Sequence, residues 1–143
     1  MTVKAILSTK GTEVVTIGPN TSLAAAASRL AERRIGALVV TGADHRVVGI
    51  LSERDIVQEL AAHGAAALDL PLNDVMTRKV ATCGVADTVN SVMERMTQGK
   101  FRHMPVVEDG RLVGLVSIGD VVKHRLEQME REQSALRDYI QTA

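Results

Sequence analysis

The chain has 143 residues, of which 45% are hydrophobic and 24% charged, a balance typical of a globular protein. Its 17 Lys and Arg residues equal its 17 Asp and Glu residues, so no overall field attracts nucleic acid or an anionic membrane. With one Phe and one Tyr, the chain also lacks the aromatic platform on which single-stranded nucleic acid stacks. A phosphate site, if present, must therefore be local.

The cysteine content and the N-terminal sequence favour a cytoplasmic setting. The single cysteine, Cys83, cannot form an internal disulfide, and the first residues lack the apolar run of a secretory signal. No stretch approaches the roughly 18 to 20 consecutive apolar residues of a membrane span. We therefore expect a cytoplasmic protein that acts neither on nucleic acid nor directly at a membrane.

The first predicted unit occupies residues 1–65. Residues 14–17 predict a short strand, and an apolar stripe from Leu23 with spacing i, i+3, i+4, i+7 predicts an amphipathic helix that Ser22 caps. Two Val-rich runs flank a turn at residues 42–45, which predicts a β-hairpin. Asp55 then opens a second helix.

A second copy of this unit follows a connector at residues 66–73. Val80 aligns with Val14, Thr88 aligns with the helix cap Ser22, and the pattern continues through residues 74–125 with a hairpin turn at 108–110. Neither copy alone buries enough surface to offset its conformational entropy. The predicted fold is α+β: two pseudo-twofold-related β-α-β-β-α units that share one core, plus a C-terminal helical extension.

The tail at residues 126–143 carries a heptad pattern. Apolar residues recur seven apart at Val122, Met129 and Leu136, and a second row holds Leu126, Gln133 and Ile140. This stripe packs either on the body of the same chain or on a second subunit, and the pattern leaves both alternatives open.

A chemical motif, Gly-apolar-x-Ser-x-x-Asp, occurs in both copies where a strand becomes a helix. It spans residues 49–55 and 114–120. Such a junction suits an anion, because free N–H groups and the positive helix end meet there, while the Asp carboxylate suits the vicinal diol of a ribose. The alternative is that these Ser and Asp residues only cap helices. Duplication of the whole motif favours a ligand.

The two motif segments, Gly-Ile-Leu-Ser-Glu-Arg-Asp and Gly-Leu-Val-Ser-Ile-Gly-Asp, resemble those of cystathionine β-synthase (CBS) domains. Residues 74–77, Asp-Val-Met-Thr, and residues 101–107, Phe-Arg-His-Met-Pro-Val-Val, also resemble this family. The resemblance implies a CBS pair, or Bateman module, with two clefts for adenosine-containing ligands such as AMP, ADP, ATP, S-adenosylmethionine or NAD(H). It also implies that Asp55 and Asp120 hold ribose hydroxyls, with Ser52 and Ser117 beside them.

The same resemblance suggests residues for the phosphates and for adenine. Arg102 and His103 stand where related modules direct basic residues at phosphates, or else form a solvated pair at a strand entry. Because Gly36 and Ala37 occupy the equivalent places in the first copy, we expect the Asp120 cleft to be better equipped. The adenine positions are Lys10, Thr12, Ile35, Gly36 and Ala37 for the Asp120 cleft, and Thr77 and Val80 with Arg102, His103 and Met104 for the Asp55 cleft.

The sequence gives little support for catalysis. The four histidines and Cys83 show no metal-ligand spacing, no nucleophilic triad can be assembled, and neither a G-x-G-x-x-G nor a P-loop motif is present. We therefore expect a non-enzymatic sensor without metal or catalytic cofactor. It would act on an unidentified regulated protein as a homodimer, associating through its CBS modules and C-terminal helix. The alternative is a structural or oligomerisation module with degenerate clefts.

Overall fold

A computed structural model describes residues 1–142. The elements in chain order are α1 (Val3–Lys10), β1 (Thr16–Ile17), α2 (Leu23–Arg33), β2 (Ala37–Thr41), β3 (Val47–Ser52), α3 (Glu53–His63), α4 (Leu72–Val75), α5 (Val89–Gly99), β4 (His103–Glu108), β5 (Arg111–Ser117) and α6 (Ile118–Thr142). Short 3-10 turns at Ala43–His45 and Gly64–Asp69 complete the connections. This order confirms the predicted α+β class with a helical C-terminal extension.

Both predicted hairpins are present and share a detail that reflects the repeat. β2 pairs antiparallel with β3, and β4 pairs antiparallel with β5. The register shifts between Val40 and Thr41 in the first hairpin and between Val106 and Val107 in the second. The caps also agree with the sequence, because the hydroxyls of Ser22 and Thr88 accept the backbone N–H groups of the third residues of α2 and α5.

The predicted first strand of the second copy is wrong. β1 pairs parallel with β2 in the first copy, whereas within residues 1–142 the equivalent segment of the second copy pairs with β4 at a single residue, through the parallel bridge between Cys83 and Val106. The Thr82 carbonyl accepts a hydrogen bond from the Arg95 guanidinium at 2.7 Å. A turn closed by Asp87 begins directly afterwards at Gly84. The Thr82 carbonyl and the Gly84 N–H are therefore hydrogen-bonded to side chains rather than to a neighbouring strand.

Helix α1 was not among the predicted elements, and it packs on the second copy. Its Val3 N–H donates to the Asp87 carbonyl at 2.9 Å, and the equivalent bond in the first copy runs from the Leu72 N–H to the Thr21 carbonyl at 2.8 Å. The segment before each copy thus supports the other copy. The spacing of Val3, Ile6 and Leu7, which are all buried, was the signal for this helix.

The core of the pair contains two hydrophobic clusters. One cluster unites Leu23, Leu38 and Leu51 of the first copy with Ala67 and Leu72 of the connecting segment. The other cluster joins α1 to the second copy. Its buried members are Val3, Ile6, Leu7, Cys83, Val89, Val92, Met96, Met104, Val106, Val116 and Val121. The two copies depend on each other because each cluster takes residues from a segment that precedes the other copy.

Helix α6 continues the second copy directly into the tail. Val121 and His124 are buried against the body, whereas residues 129–142 are exposed. Ala143, the last residue of the predicted tail, lies outside the described residues. Among residues 1–142, no helix combines the length and apolar character that crossing a membrane requires.

Candidate functional site

The two Ser-x-x-Asp segments form matching capping boxes. In the first copy, the Ser52 N–H donates to Asp55 Oδ2 at 2.9 Å and the Asp55 N–H donates to Ser52 Oγ at 3.3 Å. Ser117 and Asp120 make the same bonds at 2.9 and 3.2 Å. The capping role is therefore real at both places. Each box occupies Oδ2 of its carboxylate, and within residues 1–142 neither Oδ1 accepts a hydrogen bond.

A cavity of about 550 Å³ opens beside Asp55. It lies where the start of α3 meets the segment before β4 and the segment that follows α4. The lining residues are Gly36, Ala37, Ile50, Ser52, Glu53, Arg54, Asp55, Thr77, Lys79, Val80, Ala81, Gly99, Lys100, Phe101, Arg102 and His103. The volume lies within the range of small-molecule sites in proteins.

Backbone contacts hold these segments together. Ile50 and Thr77 exchange two hydrogen bonds of 3.0 Å, which fixes the segment after α4 against β3. The Glu53 N–H donates to the Gly36 carbonyl at 3.0 Å. A Cβ at Gly36 would lie 2.8 Å from Glu53 Oε1 and 3.3 Å from His103 Cε1, so glycine permits this close approach.

The charged side chains around the cavity are predominantly positive. Arg54, Lys79, Lys100 and Arg102 line it, against the two carboxylates of Glu53 and Asp55. Of these four cations, only Arg102 was among the predicted site residues. Arg54 lies inside the quoted motif and could have been found there, whereas Lys79 and Lys100 are brought to the cavity by the fold. Local positive charge of this kind suits a phosphate group.

His103 adds a neutral imidazole to this lining. Burial lowers its pKa below the ordinary value of 6.5, and the Lys10 ammonium lowers it further. Glu53 and Asp120 act in the opposite direction but more weakly. His103 is therefore mostly neutral at pH 7, and its charged neighbours belong to both copies.

The surroundings of Asp120 differ from those of Asp55, because a lysine forms an ion pair with the Asp120 carboxylate. Lys10 Nζ donates to Asp120 Oδ2 at 2.6 Å and to the Leu115 carbonyl at 2.8 Å. Burial alone would raise the pKa of Asp120, but hydrogen bonds from Lys10 and from the Ser117 N–H outweigh it and lower the pKa. Lys10, expected beside adenine, is thus an ion-pair partner of the expected ribose acceptor.

The structure separates the predicted site residues into two groups. Ser52, Asp55, Gly36, Ala37, Thr77, Val80, Arg102 and His103 line the cavity. Lys10, Thr12, Ile35, Met104, Ser117 and Asp120 do not. Met104 is fully buried in the core cluster of the second copy, so its side chain is unavailable to a ligand. Arg102 and His103 line the cavity with Asp55, and His103 is also close enough to Lys10 and Asp120 for their charges to act on its pKa, so the expectation that both serve chiefly the Asp120 cleft stays a prediction.

A family model described as CBS domain matches residues 3–62 and 72–127. The chain belongs to the CBS-domain family, and its fold is a CBS pair. An uncharacterized 17.7 kDa protein of Acidianus ambivalens is 36% identical over 117 residues, which cover 81% of this chain and 70% of that protein. The chain matches only 22% of the length of CBSCBSPB5, a CBS domain-containing protein of Arabidopsis thaliana that is 34% identical.

Solved structures give the same family and fold. The CBS-domain containing protein ATU1752 of Agrobacterium tumefaciens is 50% identical, with a TM-score of 0.83 and coverage of 87% of this chain and 92% of that one. The CBS domain pair of protein MJ0100 is 28% identical, with a TM-score of 0.80 and coverage of 90% and 98%. That pair was solved in complex with 5′-methylthioadenosine and S-adenosyl-L-methionine.

Proposed function

We propose that this CBS pair is a non-enzymatic sensor that binds an adenosine-containing ligand in the cavity beside Asp55. The observation that carries the proposal is that the Asp55 carboxylate and a predominantly positive lining meet in a cavity of about 550 Å³. Asp55 would accept the ribose hydroxyls through Oδ1, while the Ser52 N–H holds Oδ2 and keeps the carboxylate oriented.

The charge of the lining supports a phosphorylated ligand. Arg54, Lys79, Lys100 and Arg102 outnumber the two carboxylates, so the cavity favours anions such as AMP, ADP, ATP or NAD(H). The MJ0100 pair supports the adenosine part of the proposal through its two ligands. S-adenosylmethionine carries a sulfonium cation, and we therefore expect it to bind more weakly here than a nucleotide does.

A structural or oligomerisation role is the second candidate. Its support is that both Asp residues already serve as helix caps and that Asp120 is paired with Lys10. Under this alternative neither cleft has a ligand. The cytoplasmic location, the homodimer and an unidentified regulated protein stay predictions under both candidates.

Ligand binding to the full chain separates the two candidates. Isothermal titration calorimetry and thermal unfolding would be run with AMP, ADP, ATP, NAD, S-adenosylmethionine and adenosine, with GMP as the base-specificity control. A ligand that binds only the folded state raises stability by RT ln(1 + [L]/Kd), about 2.7 kcal/mol at a hundredfold excess over Kd. Saturable binding of an adenine nucleotide supports the sensor. Absence of both heat and thermal shift at millimolar concentrations supports the structural role.

A further inference from the structure

His103 stands where the two copies meet, at the first residue of β4. Its imidazole lines the cavity of the proposed ligand site. Its backbone lies opposite Ser117 in the second hairpin, and the Ser117 N–H donates to Asp120 Oδ2 at 2.9 Å. The equivalent residue of the first copy is Ala37, which lies opposite Ser52 and has no ionisable side chain. One histidine without a counterpart therefore adjoins both motif segments.

The imidazole packs over Gly36 of the first copy. A Cβ at Gly36 would lie 3.3 Å from His103 Cε1 and 3.5 Å from His103 Nε2, and 2.8 Å from Glu53 Oε1 at the start of α3. Within residues 1–142 neither ring nitrogen of His103 forms a hydrogen bond, and no side-chain nitrogen without a partner is fully buried. The ring is thus held at the cavity wall with both nitrogens accessible.

Charged groups from three helices and from the residue before β4 act on this imidazole. Burial lowers the pKa of His103 from 6.5, and Lys10 of α1 lowers it further, as Arg102 does more weakly. Glu53 of α3 and Asp120 of α6 raise it. The other charged residues of the cavity are Arg54, Asp55, Lys79 and Lys100. Without a ligand, His103 is therefore a mostly neutral group at the wall of a positively charged cavity.

We propose that a phosphorylated nucleotide enters this cavity together with a proton from solvent, which a ring nitrogen of His103 takes up. The inference rests on the proposed ligand site and adds a pH dependence to it. A phosphate brings negative charge beside the imidazole and offsets the neighbouring cations, so it favours the imidazolium form. The protonated ring donates from both nitrogens, and donation to a phosphate oxygen is a charge-assisted hydrogen bond.

The direction of the pH dependence follows from the two pKa values of His103. The midpoint of its titration lies below pH 6.5 without ligand, and the phosphate moves the midpoint upwards. Affinity is therefore lowest at pH 8, rises as the pH falls through the pKa of the complex, and levels off below the pKa of the ligand-free chain. Each unit between the two pKa values makes binding up to about tenfold tighter. The module then responds to nucleotide concentration and to acidity together.

Proton uptake during binding is measured by calorimetry of the full chain in buffers that differ in their enthalpy of ionisation. With ADP at pH 7, the parent chain should take up about half a proton more than His103→Gln does, because the titration of ADP itself is common to both. Between pH 8 and pH 6, the affinity of the parent should rise about tenfold relative to that of His103→Gln. NAD is the second probe, since its phosphates stay ionised over this range.

His63→Gln is the matched control, because it removes an exposed imidazole at the far end of α3. Its proton uptake should equal that of the parent chain. Binding with equal uptake in the parent and in His103→Gln would overturn the inference and leave the proposed ligand site standing. Absence of binding by both nucleotides from pH 6 to pH 8 would overturn the ligand site as well.

Proton NMR tests the same event in the parent chain. The Cε1–H signal of His103 is the one of four histidine signals that is missing in His103→Gln. We expect its titration midpoint below pH 6.5 without ligand and about one unit higher with saturating ADP. Adenosine, which lacks phosphate, is the ligand control and should leave the midpoint nearly unchanged. A midpoint that ADP does not raise, or that adenosine raises equally, would contradict the inference.

Discussion

The two copies of the CBS motif build the same capping box and then differ in what faces it. Asp55 adjoins a cavity whose four cations come from both copies. The Oδ1 atom of Asp55 accepts no hydrogen bond within residues 1–142. Asp120 bonds to the Lys10 ammonium at 2.6 Å. A repeat in sequence therefore fixes the local cap but not the availability of the carboxylate, which depends on a residue far away in the chain.

A backbone detail explains how Lys10 enters the Asp120 side. In the first copy, the Ile50 carbonyl accepts the Thr77 N–H at 3.0 Å, which closes the strand edge. In the second copy, the equivalent Leu115 carbonyl accepts Lys10 Nζ at 2.8 Å. A side-chain ammonium thus replaces a backbone bond. The same ammonium also donates to Asp120, so one side chain satisfies the Leu115 carbonyl at the strand edge and pairs with the Asp120 carboxylate.

The largest expected effect is the loss of nucleotide binding in Asp55→Asn. Asparagine is nearly isosteric and its carbonyl can still accept the Ser52 N–H, but the charged acceptor for the ribose hydroxyls is gone. We expect affinity to fall about 10- to 100-fold, as for a lost buried hydrogen-bonding partner worth about 1 to 3 kcal/mol. Asp120→Asn is the matched control by calorimetry. Equal losses in both variants would contradict the contrast between the copies.

A smaller and ligand-dependent effect is expected for Arg102→Ala. Because Arg102 lines the cavity with a charge, its removal should weaken NAD or ADP binding by about tenfold and leave adenosine nearly unchanged. Arg33→Ala makes the same charge change on an exposed part of α2 and serves as the control. An equal loss for adenosine and ADP would show that Arg102 does not act on phosphates.

Lys10→Met tests whether the ion pair keeps the second cleft closed. The variant frees Asp120, and we expect the number of nucleotides bound per chain to rise from one to two. Its stability should fall by less than about 1 kcal/mol, because Lys10 is 35% exposed and water screens the pair. Lys4→Met removes a charge from the same helix as the control. An unchanged stoichiometry would show that Lys10 does not obstruct this cleft.

The smallest expected effect is on the pH dependence of stability. The pKa of Asp120 lies below its ordinary value of 3.8, so its contribution is present above that value and is lost as the pH falls through the lowered pKa. Lys10→Met should return this pKa towards 3.8. The difference in unfolding free energy between parent and variant, measured with urea, should therefore shrink between pH 7 and pH 2.5. A constant difference would show that the ion pair is not its source.

The sequence predicted those features that depend on residues close together in the chain. The caps at Ser22 and Thr88 and both hairpins follow from spacing and side-chain chemistry. The predicted start of the second helix in the first copy is wrong, because α3 begins at Glu53 after its cap Ser52, and Asp55 is the third residue of the helix. The contact between Lys10 and Asp120 joins the two ends of the chain, and no local pattern signals it. Lys79 and Lys100 reach the cavity for the same reason, so the positive lining was missed. The first strand of the second copy was predicted wrongly, because the Thr82 carbonyl accepts a hydrogen bond from the Arg95 side chain instead of from a strand.

A crystal structure of the full chain grown with ADP tests the contrast between the two copies most directly. We predict nucleotide density in the cavity, with the ribose hydroxyls on Asp55, the phosphates among Arg54, Lys79, Lys100 and Arg102, and the bond between Lys10 and Asp120 retained. Nucleotide bound at Asp120 with Lys10 displaced, beside an empty cavity at Asp55, would contradict the account.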